Sequence, residues 1–119
     1  MEAEHTLSSP LGRITIASGA IAQIVAETAL ECYGVVGMKG GSLRGRMARS
    51  RAHARGIEIG RDREGGVTVD LHVVVEYGLN LAEVASSVRN RVAYEVERLT
   101  GLPVRGVEVH VDDVRTSAK

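Results

Sequence analysis

Several residue types are scarce or missing in this chain of 119 residues. There is no Phe, no Trp and only three Tyr, so the core has to be built from aliphatic side chains. The single cysteine, Cys32, excludes an intramolecular disulfide and is most simply a small buried hydrophobe on a helix. No apolar run reaches the roughly 20 residues that a membrane-spanning helix needs, so we expect no direct insertion into a membrane.

Charge is balanced overall but unevenly distributed along the chain. The formal net charge is zero, which favours no particular class of partner. The segment 39–55 nevertheless has no acidic residue, while acidic residues outnumber basic ones by fifteen to nine in the rest of the chain. The candidate residues for binding an anion or a partner are the six basic residues of this segment: Lys39, Arg44, Arg46, Arg49, Arg51 and Arg55.

The basic segment has two interpretations. It is either a solvated linker or a patch for the phosphates of nucleic acid, an anionic lipid surface or an acidic protein. It contains no aromatic residue on which a base could stack, which makes single-stranded nucleic acid the weaker option. Basic runs without further recognition features are weakly specific, so the linker interpretation is favoured.

The stretch from Val67 to Tyr77 is the clearest strand in the sequence. Apolar and polar residues alternate along it, which predicts one face in a core. The run Val73-Val74-Val75 breaks the alternation and predicts that this end is covered on both faces. A shorter strand begins at Ile57, and the polar turn 61–66 joins the two into a hairpin.

Two amphipathic helices flank this hairpin. The first follows a short strand, Arg13–Ala17, with Ser18 as its predicted N-cap and Gly34 as its stop. The second has Asn80 as its N-cap, ends at Gly101 and precedes a last strand over 104–111. The apolar stripe of the second helix consists of Leu81, Val84, Ala85, Val88, Val92, Val96 and Leu99.

The order of elements is therefore β-α-β-β-α-β, which predicts a single α+β domain. Two helices on one face of a mainly antiparallel four-stranded sheet bury both apolar stripes. The domain is expected over 12–114, between a mobile N-terminal tail, 1–11, and a short C-terminal tail, 115–119. In a split βαβ arrangement the first strand would separate the third and fourth, placing His72 and His110 roughly 9 to 10 Å apart, too far to share a metal.

No catalytic, cofactor or metal motif stands out. Ser86 and Ser87 lie within a helix with no histidine near them in sequence, and Cys32 lacks an obvious base. Asp112 and Asp113 are adjacent on a strand and should point to opposite faces. The chain is interpreted as a protein that is not an enzyme and needs no cofactor.

Several segments together resemble the alkaline shock protein family of Gram-positive bacteria. The segment Val74-Val75-Glu76-Tyr77-Gly78-Leu79-Asn80 carries the most specific part of the likeness, which runs in register from about Gly12 to Val114. The other matching segments are Gly12–Ala17, Gly34–Met38, Leu99–Leu102 and Val107–Val111. The resemblance implies a cytoplasmic envelope stress response protein without known catalysis, able to self-associate and, in some members, tethered beneath the membrane by a membrane-anchored partner.

Two functions from different classes follow as expectations. The first is a scaffold protein that forms homo-oligomers and other protein–protein contacts through its sheet, whose edge strands offer unpaired backbone groups. The alternative is a nucleic-acid or anionic-surface binding module that uses the arginine-rich segment. The homo-oligomer is expected to form through a sheet edge or the outer sheet face.

Overall fold

The computed structural model describes residues 4–38 and 56–116. Within these ranges there are six strands and two helices. In chain order they are β1 (Glu4–Ser9), β2 (Gly12–Ala17), α1 (Ser18–Glu31), β3 (Val35–Met38), β4 (Ile57–Arg61), β5 (Val67–Glu76), α2 (Leu81–Thr100) and β6 (Val104–Arg115). The six basic residues from Lys39 to Arg55, predicted as a binding or linker segment, lie outside the described residues.

Strand β5 is the centre of the larger sheet. β6 pairs with it in parallel along its whole length, while β3 and β4 both pair with it antiparallel. β3 lies opposite Val73–Val75 and β4 opposite Val67–Leu71, so these two short strands lie end to end along one edge of β5. The α+β class and the mainly antiparallel four-stranded sheet are thereby confirmed.

The membership of the sheet differs from the prediction. The first predicted strand, now β2, is not part of the larger sheet but pairs antiparallel with β1. It was expected between the third and fourth predicted strands, which correspond to β5 and β6. These two strands instead pair directly with each other. The physical reason is that β2 satisfies its backbone groups by pairing with β1, so the parallel strands β5 and β6, joined through α2, pair directly with each other.

Helix α2 follows the sequence pattern closely. The side chain of Asn80 accepts a hydrogen bond from the backbone N–H of Glu83 at 3.0 Å, and Gly101 ends the helix in the left-handed conformation with φ +79°. Its buried residues are Val84, Val88, Val92 and Val96. The predicted cap, stop and central stripe are confirmed, while Leu81 and Leu99 at the ends of the stripe are exposed.

Helix α1 buries the predicted stripe but begins and ends differently. Ser18 is its first residue and Ala17 its N-cap, with no capping hydrogen bond from a side chain. The Ser18 hydroxyl instead pairs with Nε2 of His5 at 3.1 Å, which is why the predicted cap is wrong. At the other end the cap is Cys32, and Gly34 follows it in a turn with φ +93°.

The N-terminal residues are a strand and not the expected tail. Glu4–Ser9 pair with β2 in a hairpin whose register places His5 opposite Ile16. His5 is only 1 % exposed, and Leu7 and Ile16 pack against the core. Because these side chains cover the core edge near α1, the residues around them are held in place by burial.

Candidate functional site

The outer face of the larger sheet carries the same short pattern on two neighbouring strands. Asp70-Leu71-His72 on β5 and Glu108-Val109-His110 on β6 each consist of an acid, an aliphatic residue and a histidine. The parallel register aligns them residue by residue, so that Asp70 pairs with Glu108 and His72 with His110. The aliphatic residues face the core, and the acids and histidines lie together on the opposite face.

The two imidazole rings are stacked. Their centroids are 4.4 Å apart, with an angle of 14° between the ring planes. Nε2 of His110 lies 3.0 Å from Oδ1 of Asp70, and Nε2 of His72 lies 3.8 Å from the same oxygen. Nδ1 of His72 donates to the carboxylate of Asp112, with 3.0 Å to each oxygen. One carboxylate therefore faces both rings, and a second one orients His72.

This geometry corrects the prediction that the two histidines are too far apart to share a metal. They occupy neighbouring strands in direct register, and one ligand atom from each of Asp70, His72 and His110 lies within 4.8 Å of the others. The error came from the predicted sheet order, which inserted a strand between β5 and β6. The sequence did contain a signal, because the acid–aliphatic–histidine pattern occurs once on each side of a single helix.

More acidic residues surround the histidine pair. Glu58 on β4 and Glu108 on β6 both pair with Asp70, one on each side, which forms a row of three carboxylates across the sheet. Asp112 lies on the other side of His72. All of these side chains are partly or fully exposed, and the concentration of negative charge favours a cation at this face.

The outer face of the sheet is covered near Val74. That residue is only 4 % exposed. The side chain of Arg115 extends over this part of the face. Its Nη1 would lie 3.6 Å from a Cβ added to Gly37, the residue of β3 that pairs with Val74. Val73, Val74 and Val75 are all buried, which confirms that this end of β5 is covered on both faces.

The edges of the larger sheet are formed by β6 on one side and by β3 and β4 on the other. β4 and β6 each pair with β5 and with no other strand in the described part of the chain. β6 is the longer edge, with twelve residues against five in β4. Val107, Val109 and Val111 of β6 pack against the core but are only partly buried, because no strand covers their far side within 4–38 and 56–116.

Two residues considered for nucleophilic chemistry have structural partners. Cys32 is buried, as predicted, and its Sγ lies 3.4 Å from the carbonyl oxygen of Thr28. Burial raises the pKa of the Cys32 thiol, opposing formation of the thiolate. The hydroxyl of Ser86 accepts a hydrogen bond from Arg89 at 3.4 Å.

Neither helix in the described ranges is long and apolar enough to cross a membrane.

The chain matches known proteins over nearly its whole length. Residues 6–116 match the alkaline shock protein 23 family, which is described as having a cell envelope-related function. The chain is 32 % identical over 117 residues to the uncharacterized protein YloU of Bacillus subtilis, covering 93 % of this chain and 95 % of that protein. No solved structure matches.

Similarity extends to a protein named for a stress response. The chain is 30 % identical over 110 residues to a stress response regulator gls24 homolog of Streptococcus pyogenes, covering 88 % of this chain and 60 % of that protein. It is also 27 % identical over 111 residues to the uncharacterized protein YqhY of Bacillus subtilis, covering 92 % of this chain and 82 % of that protein. The match over residues 6–116 confirms the resemblance noted in the sequence, and the chain belongs to the alkaline shock protein family, whose function is related to the cell envelope.

Proposed function

We propose that this protein is a non-enzymatic component of the envelope stress response that works through self-association and protein–protein contacts beneath the membrane. The family and the name of the streptococcal relative support the stress-related part of the proposal. The open edge of β6 supports the part that concerns assembly. The buried, protonated character of Cys32 and the paired hydroxyl of Ser86 support a role without nucleophilic catalysis.

The edge of β6 is the single observation that carries the proposal. Strands in globular proteins are usually about five or six residues long, and natural edge strands are often shortened or interrupted to prevent pairing. β6 is a twelve-residue strand with one edge turned away from β5. No strand of the described residues pairs with this outward edge, so its central backbone groups can bond to a strand of another chain, whereas the amides of Val104 and Val114 near its ends bond to the side chains of Glu97 and Asp113.

Side chains on the same strand point to the same conclusion. The residues of β5 that face the helices are buried, whereas the equivalent Val107, Val109 and Val111 of β6 remain partly exposed. A strand added at this edge would cover them, and each Å² of apolar surface removed from water contributes roughly 25 cal/mol. Antiparallel pairing of β6 with β6 of a second copy would give a dimer with two-fold symmetry, the commonest symmetry of homo-oligomers.

Sedimentation velocity of two proline variants tests this edge. The variants are Glu108→Pro and Val109→Pro. Successive amides of a strand point to opposite edges, so one variant loses an amide that points outward and the other loses an amide that bonds to β5. Circular dichroism identifies the variant that keeps the native fold. We expect that variant to sediment as a 12.7 kDa monomer under conditions where the unchanged protein is heavier.

The matched control removes charge from the arginine-rich segment. Replacing Arg44, Arg46, Arg49 and Arg51 together by Ser should leave the assembly intact. A monomeric quadruple variant, or a folded proline variant that still assembles, would place the contact elsewhere. Binding of the unchanged protein to generic duplex DNA that weakens steeply with salt would instead support the alternative function.

Contact with a membrane-anchored partner is the remaining part of the proposal. It rests on the envelope-related family, together with a described chain that has no spanning helix. We expect the protein to sediment with membranes from gently lysed cells and to be released by an alkaline wash that leaves integral proteins behind. Recovery entirely in the soluble fraction after chemical cross-linking of intact cells would contradict this part.

A further inference from the structure

We propose that Asp70, His72 and His110 form a binding site for a divalent transition-metal ion, with Zn²⁺ as the ion best suited to it. Two imidazoles and one carboxylate are a donor set found in protein zinc sites. The three side chains come from two neighbouring strands held in fixed register by ten pairs of residues. The backbone positions are therefore set by the sheet, which leaves only side-chain rotation to complete the site.

The distances agree with one shared ion. Bonds of about 2.1 Å in tetrahedral geometry place the ligand atoms about 3.4 Å from one another. Oδ1 of Asp70 lies 3.0 Å from Nε2 of His110 and 3.8 Å from Nε2 of His72. These two separations lie on either side of the required value, and one ligand atom from each of the three residues lies within 4.8 Å of the other two.

Asp112 acts as a positioning residue for His72. Histidines that bind metals usually donate the second ring N–H to a carboxylate, which fixes the tautomer and increases the basicity of the ligating nitrogen. His72 has this arrangement, with Nδ1 3.0 Å from Asp112 and Nε2 turned towards Asp70. A hydrogen bond of this kind orients a ligand without touching the ion.

Ion binding requires the stacked rings to turn. Two nearly parallel imidazoles direct their lone pairs side by side, whereas a shared ion has to lie close to both ring planes. The side chains of His72 and His110 are 29 % and 43 % exposed, so neither ring is confined by the core. The stacking contact should therefore be lost on binding, and the ring resonances of both histidines should shift.

The composition of the site selects among metals. Mg²⁺ and Ca²⁺ prefer oxygen ligands and gain little from imidazole, whereas Zn²⁺, Co²⁺ and Cu²⁺ bind nitrogen well. Three protein donors leave a coordination position facing solvent for water or a donor from another molecule. The site lies on the outer face of the sheet, so the inference goes beyond the proposed contact at the edge of β6.

Titration of the full-length chain with Zn²⁺ alone tests the inference by calorimetry, with Co²⁺ absorption as a spectroscopic check. We expect saturable binding of one ion at this site in the unchanged protein and no competition from Mg²⁺. His72→Gln, His110→Gln and Asp70→Asn should each abolish it. Asp112→Asn should weaken it by roughly 10- to 100-fold while retaining the same stoichiometry.

His5→Gln is the control, because it removes an imidazole outside the site. Its Zn²⁺ binding should equal that of the unchanged protein once circular dichroism has shown a native fold. A measurement on the unchanged chain needs no variant, since NMR should show Zn²⁺-induced shifts concentrated at His72 and His110. The inference is overturned if the unchanged chain gives no saturable binding, or if the double variant His72→Gln/His110→Gln binds as well as the original.

Discussion

Replacing Val88 by aspartate tests the core of this fold most directly. Val88 is 0 % exposed and lies at the middle of the buried stripe of α2, between Val84 and Val92. Its side chain packs in a core made almost entirely of aliphatic groups. A carboxylate introduced there would have neither water nor a positive partner among the buried residues of the described chain.

The expected cost has two parts. Loss of the buried valine removes about 1.5 kcal/mol or more of hydrophobic stabilisation. The new carboxyl has to remain protonated in the core, and holding a group with an ordinary pKa of about 3.9 neutral at pH 7 costs about 4 kcal/mol. The sum, about 6 kcal/mol, is comparable with the whole stability of many domains, about 5 to 15 kcal/mol.

The assay is urea denaturation followed by circular dichroism, with Arg89→Asp as the matched control. Arg89 is the next residue on the same helix and is exposed, so this variant introduces the same aspartate one residue away in a solvated position. We expect Val88→Asp to be unfolded or nearly so at pH 7 and Arg89→Asp to lose little stability. Similar midpoints for the two variants would show that the stripe does not face the core.

The remaining predictions concern a buried histidine, a helix cap and a turn. Burial, and to a smaller extent the charge of Arg61, lowers the pKa of His5 in the folded protein. The unfolded chain, in which the pKa is about 6.5, therefore takes up a proton more readily than the folded protein. The stability that is present above this unfolded pKa is lost as the pH falls through the lower folded pKa. His5→Gln should flatten that decline in urea denaturation at several pH values, and an unchanged slope would contradict the burial of the ring. Asn80→Ala should destabilise the protein by about 1 kcal/mol through loss of the bond to Glu83, whereas Asn90→Ala on the exposed face of α2 should cost clearly less in the same assay. Gly34→Ala should lower the melting temperature more than Gly78→Ala. Both glycines have positive φ, but only at Gly34 would the new Cβ lie 3.0 Å from the side chains of Leu79 and Val84. Equal losses in the two variants would refute the steric argument.

Local elements could be predicted from the sequence because their signals are local. The helix from Leu81 has an asparagine cap, a regular apolar stripe and a glycine stop, and all three are present in the structure. The alternation from Val67 likewise marked the central strand. Cys32 is buried as predicted, although it caps α1 and does not lie within the helix.

The order of strands could not be predicted in the same way. The residues of β2 contain no signal that distinguishes pairing with β5 from pairing with an N-terminal strand such as β1. The choice depends on contacts between segments that are far apart in sequence. The split βαβ arrangement, which buries both helix stripes equally well, places a strand between His72 and His110. The sequence therefore identified both histidines but not their contact. Strand β1 was missed because its polar residues hid the alternation of His5 and Leu7.

β3 and β4 together behave as one strand with a break in it. They run in the same direction along one edge of β5, where Met38 pairs with Val73 and Ile57 with Leu71. The backbone carbonyl of Gly56 accepts a hydrogen bond from His72, the residue between those two partners. The basic segment is thus an insertion whose two ends are anchored about two residues apart on the sheet, roughly 7 Å.

An insertion anchored in this way can change length at little cost. For any unstructured connection between these two anchors, doubling the length would add only about 0.6 kcal/mol of closure entropy. The pairing of β3 and β4 with β5 therefore sets no strict limit on the length or charge of what joins them. Replacement of the basic segment by a short glycine-rich connection offers a way to remove every arginine between Met38 and Gly56 without touching the sheet.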